Sequence, residues 1–196
     1  MKKFLKFTLL VAAFTNVLVA ETIFELTAQH FSNSIDGNGA GARYDLSKTY
    51  VSTALKYESG HYTRTTSSSS QKLDVEIKTP LSDWAVSFDM SYYLSSENHP
   101  IRFTSDTGKT IIVSFEYNEI FLNGTLVYSN NSRLERRTEV IGTLEKSGNS
   151  VRLSVNGYFT QTINVSNFSK LKFVSVSLLH DNYDDIMNGL NIGTND

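Results

Sequence analysis

The sequence contains no cysteine and only two prolines. Lack of thiols excludes a disulfide framework, a lipid-modified cysteine anchor and any thiolate zinc centre, so stability must come from an apolar core and at most a bound ion. Charge of neither sign dominates, because 18 Lys and Arg stand against 20 Asp and Glu for a formal −2. No basic block is present that could follow a phosphate backbone, which argues against a nucleic-acid partner. Long apolar runs are also missing after residue 20. Later ones are short pieces such as residues 111–113, far below the roughly 20 residues that a membrane-crossing helix needs.

What is there begins with MKKFLKFTLLVAAFTNVLVA. Lys2, Lys3 and Lys6 make a positive head and residues 7–14 an apolar run, the pattern of an export signal. A cut after Ala20 leaves Glu21 first, with Leu18 bulkier than the small residue usual at its position. The expectation is a secreted or periplasmic bacterial protein whose mature part, residues 21–196, is one domain of 176 residues.

Ser, Thr, Asn, Tyr and Phe abound in that part, in short runs that alternate apolar with polar. Trp84, Val86, Phe88, Met90 and Tyr92 fall at period two, with Ala85, Ser87, Asp89 and Ser91 on the other face, which predicts a half-buried antiparallel strand. Further strands are expected at 22–27, 50–57, 72–77, 101–103, 110–117, 120–122, 125–128, 139–145, 150–155, 158–165 and 171–179. Asn123-Gly124 and Asn156-Gly157 each separate two such runs, the sequence mark of a tight hairpin whose central residues tolerate positive φ. Residues 36–41, rich in glycine, and the serine run 67–70 read as loops. No convincing helix is found. Closely spaced strands joined by turns predict an all-β, two-sheet antiparallel sandwich or a barrel.

Three pieces carry a family resemblance: the strand WAVSFDM, the later LEKSGNSVRLSVNGYF and the terminal DNYDDIMNGLNIG. In this order and spacing, residues 84–196 resemble the concanavalin A-like jelly roll, and within it the laminin G and pentraxin-like group. The resemblance implies two packed, curved antiparallel sheets whose concave face or rim binds glycans or proteins, sometimes through calcium.

Candidate chemistry is sparse. Asp181, Asp184 and Asp185, with Asn182 between them, form the densest acidic cluster, and calcium takes several oxygen ligands from such spacings. The spacing lacks the glycine and distal glutamate of an EF-hand, so the expectation is an irregular structural calcium site, set against a plain solvated turn before the last strand. Asp36-Gly37-Asn38-Gly39 is a second, weaker oxygen-rich loop. Tyr92, Tyr93 and Tyr117 are the candidate ligand contacts, flat faces for sugar rings with a hydroxyl at the rim.

Catalytic patterns fit less well. Glu116-Tyr117-Asn118-Glu119 has two of the acids of the jelly-roll hydrolases and lacks the middle one. Arg133, Glu135 and Arg137 match the arginine-flanked glutamate of jelly-roll lyases without that family's Gln and His, and read more simply as a charged edge strand. His30, His61, His99 and His180 show no paired spacing for a metal. The reading is therefore an exported, non-enzymatic module that binds carbohydrate or a surface protein. An assembly or adhesin subunit, and a polysaccharide lyase or hydrolase, are the alternatives.

Overall fold

The computed structural model describes residues 21–27, 42–53, 55–58, 61–64, 70–93, 99–116, 119–129, 137–156, 159–181, 183–184 and 186–194. Among them every regular element is a strand. In chain order they are β1 (Glu21–Glu25), β2 (Ala42–Asp45), β3 (Thr49–Thr53), β4 (Leu55–Glu58), β5 (His61–Arg64), β6 (Ser70–Leu81), β7 (Trp84–Tyr93), β8 (His99–Ser105) and β9 (Thr110–Glu116). They continue as β10 (Glu119–Leu122), β11 (Thr125–Ser129), β12 (Arg137–Ser147), β13 (Ser150–Val155), β14 (Phe159–Asn164), β15 (Leu171–Asp181), β16 (Tyr183–Asp184) and β17 (Ile186–Thr194).

They form two antiparallel sheets. One has eight strands in the order β14-β13-β12-β7-β17-β5-β4, with β1 also paired to β17. The other has nine, in the order β11-β10-β9-β8-β15-β6-β3-β2, with β16 paired to β15. The outer edge of β17 is shared, since β1 covers Asn191–Thr194 and β5 meets Met187.

Alternation along β7 explains how the sheets stack. Trp84, Val86, Phe88 and Met90 are all buried, and they meet the inward row of the nine-stranded sheet. Trp84 stacks on Phe103 with centroids 5.7 Å apart and touches Phe168 at 5.9 Å. Phe88 meets Phe115 edge-on at 5.9 Å. Each such fully buried large side chain contributes roughly 1.5–3 kcal/mol. One apolar cluster drawn from both sheets fills the space between them.

Phe88 also fixes a residue on the neighbouring strand. Its register partner on β12 is Gly142, and a β-carbon there would overlap the Phe88 ring. The glycine is required by packing rather than by backbone conformation, and the ring covers the gap that glycine leaves in the sheet.

The two Asn-Gly hairpins form as expected, with Asn123 and Asn156 both at φ 51°. Each asparagine does a second job. The Asn123 amide donates to the Ile112 carbonyl at 2.8 Å while its Oδ1 accepts from the Ile112 amide at 2.9 Å. Asn156 treats Ile141 in the same way, at 2.7 and 2.9 Å. A turn residue thereby completes the ladder of the next strand over, which ties β10–β11 to β9 and β13–β14 to β12.

Two local expectations are corrected. Residues 50–57 are not one strand: β3 belongs to the nine-stranded sheet and β4 to the eight-stranded one. At the break the Thr53 hydroxyl accepts from the Leu55 amide at 3.0 Å, a side-chain bond that replaces a ladder bond where the chain changes sheets. Ala42–Asp45 and His61–Arg64, unassigned from pattern, are also strands.

One end of the sandwich is tied by polar contacts between its connections. Ser82 and Asp83 form the short link from β6 to β7. The Ser82 carbonyl accepts from Lys146 Nζ at 2.8 Å, and Asp83 accepts from the Gly148 amide at 2.8 Å and from the Thr194 hydroxyl at 3.0 Å. Nearby, the Asp106 carboxylate accepts from the Ser169 hydroxyl and from the Lys170 amide at 3.2 Å, and these bonds hold its pKa below the ordinary carboxylate value.

Two outcomes follow. Gly142→Ala is expected to destabilise the fold by about 1–3 kcal/mol in denaturant unfolding, with part of the loss recovered when Phe88→Leu is added; an unchanged midpoint would contradict the packing role. Because the Asp106 pKa is lower in the folded than in the unfolded chain, its contribution is full above the unfolded value and is lost as pH falls through the lowered one. Asp106→Asn should therefore lower the unfolding temperature at neutral pH and match the parent protein in strong acid. A gap independent of pH would contradict this.

Candidate functional site

Antiparallel pairing decides which ends of the strands lie together. β7, β9, β13 and β15 end, and β8, β10, β12 and β17 begin, at the end of the sandwich opposite the tied connections. Most of the candidates singled out in the sequence fall at this rim. Tyr92 and Tyr93 are the last residues of β7, in register with Thr138 and Arg137 of β12. Asp181 ends β15 and is paired with Tyr183, while Asp184 is paired with His180. β16 lies against β7, with Cα atoms within 8 Å, so the acidic hairpin and the tyrosine end of β7 come together although they are far apart in sequence.

Asp181, Tyr183 and Asp184 thus belong to a short two-strand hairpin, and Asn182 lies outside the described residues. Tyr117, Asp185, Arg133 and Glu135, and the loop 36–41, lie outside the described residues. Among the described residues no group of three or more His, Asp or Glu is placed to hold a metal.

Glu116 and Glu119 flank the β9–β10 hairpin. They are direct register partners across the β9–β10 hairpin, so both side chains share the outer face of the nine-stranded sheet, half-buried. Like charges placed directly opposite are unfavourable in a sheet.

Tyr62, on β5 opposite Met187 at the same end, packs against Tyr57 with centroids 4.9 Å apart. Burial, reinforced by the neighbouring Tyr57, pushes its pKa up to about 12. Its hydroxyl therefore stays protonated at any ordinary pH and cannot serve as a base.

The two outer faces of the sandwich differ sharply. On the nine-stranded sheet, long charged side chains interlock. Lys78 pairs with Asp45, reaches the Leu46 carbonyl and lies 4.6 Å from the Tyr50 ring centre. Lys172 meets Glu76 at 3.3 Å and the Ile77 carbonyl at 2.8 Å, and Ser175 donates to Asp74 at 2.6 Å.

On the eight-stranded sheet the outward residues midway along the central strands are mostly short. β7 presents Ser87, Asp89 and Ser91, β12 presents Ile141 and Thr143 between Glu139 and Glu145, and β17 presents Gly189 and Asn191, while Ala85 and Gly193 on the same side are buried. Register sets Ser154, Thr143, Ser87, Asn191 and Glu25 in one row across β13, β12, β7, β17 and β1. Five strands at the usual spacing make that row about 19 Å long. Ser87 and Thr143 are 3.2 Å apart within it.

A bulge between Met187 and Gly189 leaves Asn188 out of register, and its amide donates to Asp89 at 2.9 Å. Bulges of this kind re-aim side chains beside functional surfaces. Pattern reading recognised the outward set of β7 but not the row, because its members come from five strands distant in sequence.

No protein-family model and no curated protein matches the sequence. Solved structures do match. A laminarinase from Flavobacterium sp. UMI-01 aligns with a TM-score of 0.56 at 9% identity, over 89% of this chain and all of its own. The exoplasmic/lumenal domain of VIP36, bound to Ca2+ and Man3GlcNAc, aligns at 0.52 with 10% identity, over 72% of this chain and 83% of its own. A sialidase aligns at 0.55 with 10% identity over 80% of this chain, which spans only 17% of that protein's length. Identities this low establish shape. The two stacked antiparallel sheets of this chain form a concanavalin A-like sandwich, the jelly roll of lectins and glucanases.

Proposed function

We propose that the protein is an exported, non-enzymatic carbohydrate-binding module whose glycan lies on the outer face of the eight-stranded sheet and reaches the rim where β7 ends. The observation that carries this reading is the contrast between the two outer faces. One is interlocked by ion pairs, while the other, apart from the Arg152–Glu145 pair, offers a row of small hydroxyl and amide groups. Short side chains leave depth for a ligand, and Ser, Thr and Asn can each donate to or accept from sugar hydroxyls.

At the rim Tyr93 continues the outward set of β7 and Tyr92 the inward set, and with Tyr117 they would supply stacking surfaces where the face meets the rim. Asp181, Asp184 and Asp185 would hold a structural calcium that fixes the β15–β16 hairpin against β7. The similar folds lend support, since a lectin domain bound to an oligosaccharide and calcium is among them. The opposed Glu116 and Glu119 favour a second reading as a glycoside hydrolase, because a carboxylate pair is what that chemistry requires.

Thermal unfolding of the mature chain, with calcium or EDTA and with a panel of polysaccharides, tests both. Calcium should raise the unfolding temperature, and Asp185→Ala should abolish the rise. Thr143→Arg should weaken polysaccharide binding by about tenfold or more without unfolding the protein, while Ser177→Arg on the opposite sheet should leave it unchanged. Binding that survives Thr143→Arg would remove the glycan from this face. Reducing ends released from a bound polymer, and lost in Glu116→Gln, would decide for the hydrolase.

A further inference from the structure

The charges on the glycan face are one-sided. Among its described side chains Glu25 on β1, Asp89 on β7, and Glu139 and Glu145 on β12 are acidic and Arg152 on β13 is cationic, with His61 on β5 facing the same way; by register Arg137 of β12 falls on this face as well, two positions from Glu139. Arg152 is spent on Glu145, which it meets at 2.8 Å. The described side chains of this face thus carry a formal −3, from four acids and one arginine. The opposite face interleaves Lys72, Lys78, Arg102 and Lys172 with Asp45, Asp74, Glu76, Glu116 and Glu119.

Asp89 sits at the centre of the acidic face. Its nearest described polar partner, Asn188, is neutral and occupies one of its oxygens at 2.9 Å. Glu139 lies on the adjacent strand, two positions from the Asp89 partner Ile141, and is exposed.

We propose that this face selects neutral, polyhydroxylated glycans and rejects those bearing uronate, sialate or sulfate groups, an inference that rests on the carbohydrate-binding reading above. Carboxylates accept strong, charge-assisted hydrogen bonds from sugar hydroxyls. A ligand anion laid along the row meets Glu25 at its end and Asp89 one row away, and like charges brought together suppress the wrong partner. Ser87, Thr143, Ser154 and Asn191 then pair with uncharged hydroxyls along the row. The face is complementary to a polyol and hostile to a polyanion.

The test is calorimetric binding of the mature chain to laminarin, mannan and xylan as neutral polymers and to polygalacturonate, hyaluronate and sialylated mucin glycans as anionic ones. Any neutral polymer that binds is then compared with its carboxymethylated form. The expected result is binding confined to neutral polymers, with carboxymethylation weakening it by about tenfold or more. Added salt should reduce that penalty by screening, and so should Glu139→Gln combined with Glu25→Gln. An anionic polymer that binds as well as or better than the neutral ones, or a carboxymethylated form that binds equally well, would overturn the selectivity and leave carbohydrate binding standing. Failure of every polymer to bind would overturn the carbohydrate-binding reading itself, and the selectivity with it.

Discussion

Everything else in this structure depends on the two-residue alternation of β7. Its inward set, Trp84, Val86, Phe88 and Met90, is the keel of the core, locked to Phe103, Phe115 and Phe168 from the facing side. Its outward set, Ala85, Ser87, Asp89 and Ser91, forms the middle of the opposite surface. A slip of one residue would exchange the two sets and ruin both core and face at once. Gly142 makes such a slip costly, because a β-carbon brought opposite Phe88 would overlap its ring.

Much of this architecture was legible in the sequence, and the parts that were share a cause. β7 and the Asn-Gly hairpins are local signals, written in neighbouring residues and fixed by alternation and by positive φ at Asn123 and Asn156. What was not legible arises from pairing between distant segments. The change of sheet after Thr53 hides inside a continuous β-prone run, because Val51 and Leu55 are both buried, each between the sheets. The second role of Asn123 and Asn156, completing the ladders of Ile112 and Ile141, needs a third strand that no turn motif names. Composition marked the acidic stretch at 181–185 and the tyrosines at 92–93 separately, and the antiparallel order of β7, β15 and β17 is what brings them to one rim. The row from Ser154 to Glu25 draws one residue from each of five strands, so no single window of sequence could display it.

The two faces of the sandwich solve different problems with the same alternation. On the nine-stranded sheet Lys78, Asp45, Lys172 and Glu76 neutralise one another, which leaves little unbalanced charge to recruit a partner. Such exposed pairs add little stability individually. On the eight-stranded sheet, the glycan face of our proposal, short side chains stand beside carboxylates such as Asp89, groups that would hydrogen-bond an uncharged ligand. The tied end, built from Lys146, Asp83, Thr194 and Asp106, keeps the sheets aligned while the opposite rim gathers the aromatic and acidic residues.

The placement of the ligand on the eight-stranded sheet is tested most directly by backbone amide chemical-shift mapping of the mature chain, titrated with the neutral polysaccharide it binds. Shifts concentrated on Ser87, Asp89, Thr143, Ser154 and Asn191, fading toward the tied end, are the predicted result. Shifts concentrated on Lys72, Asp74, Arg102 and Ser175 of the other sheet would contradict the account.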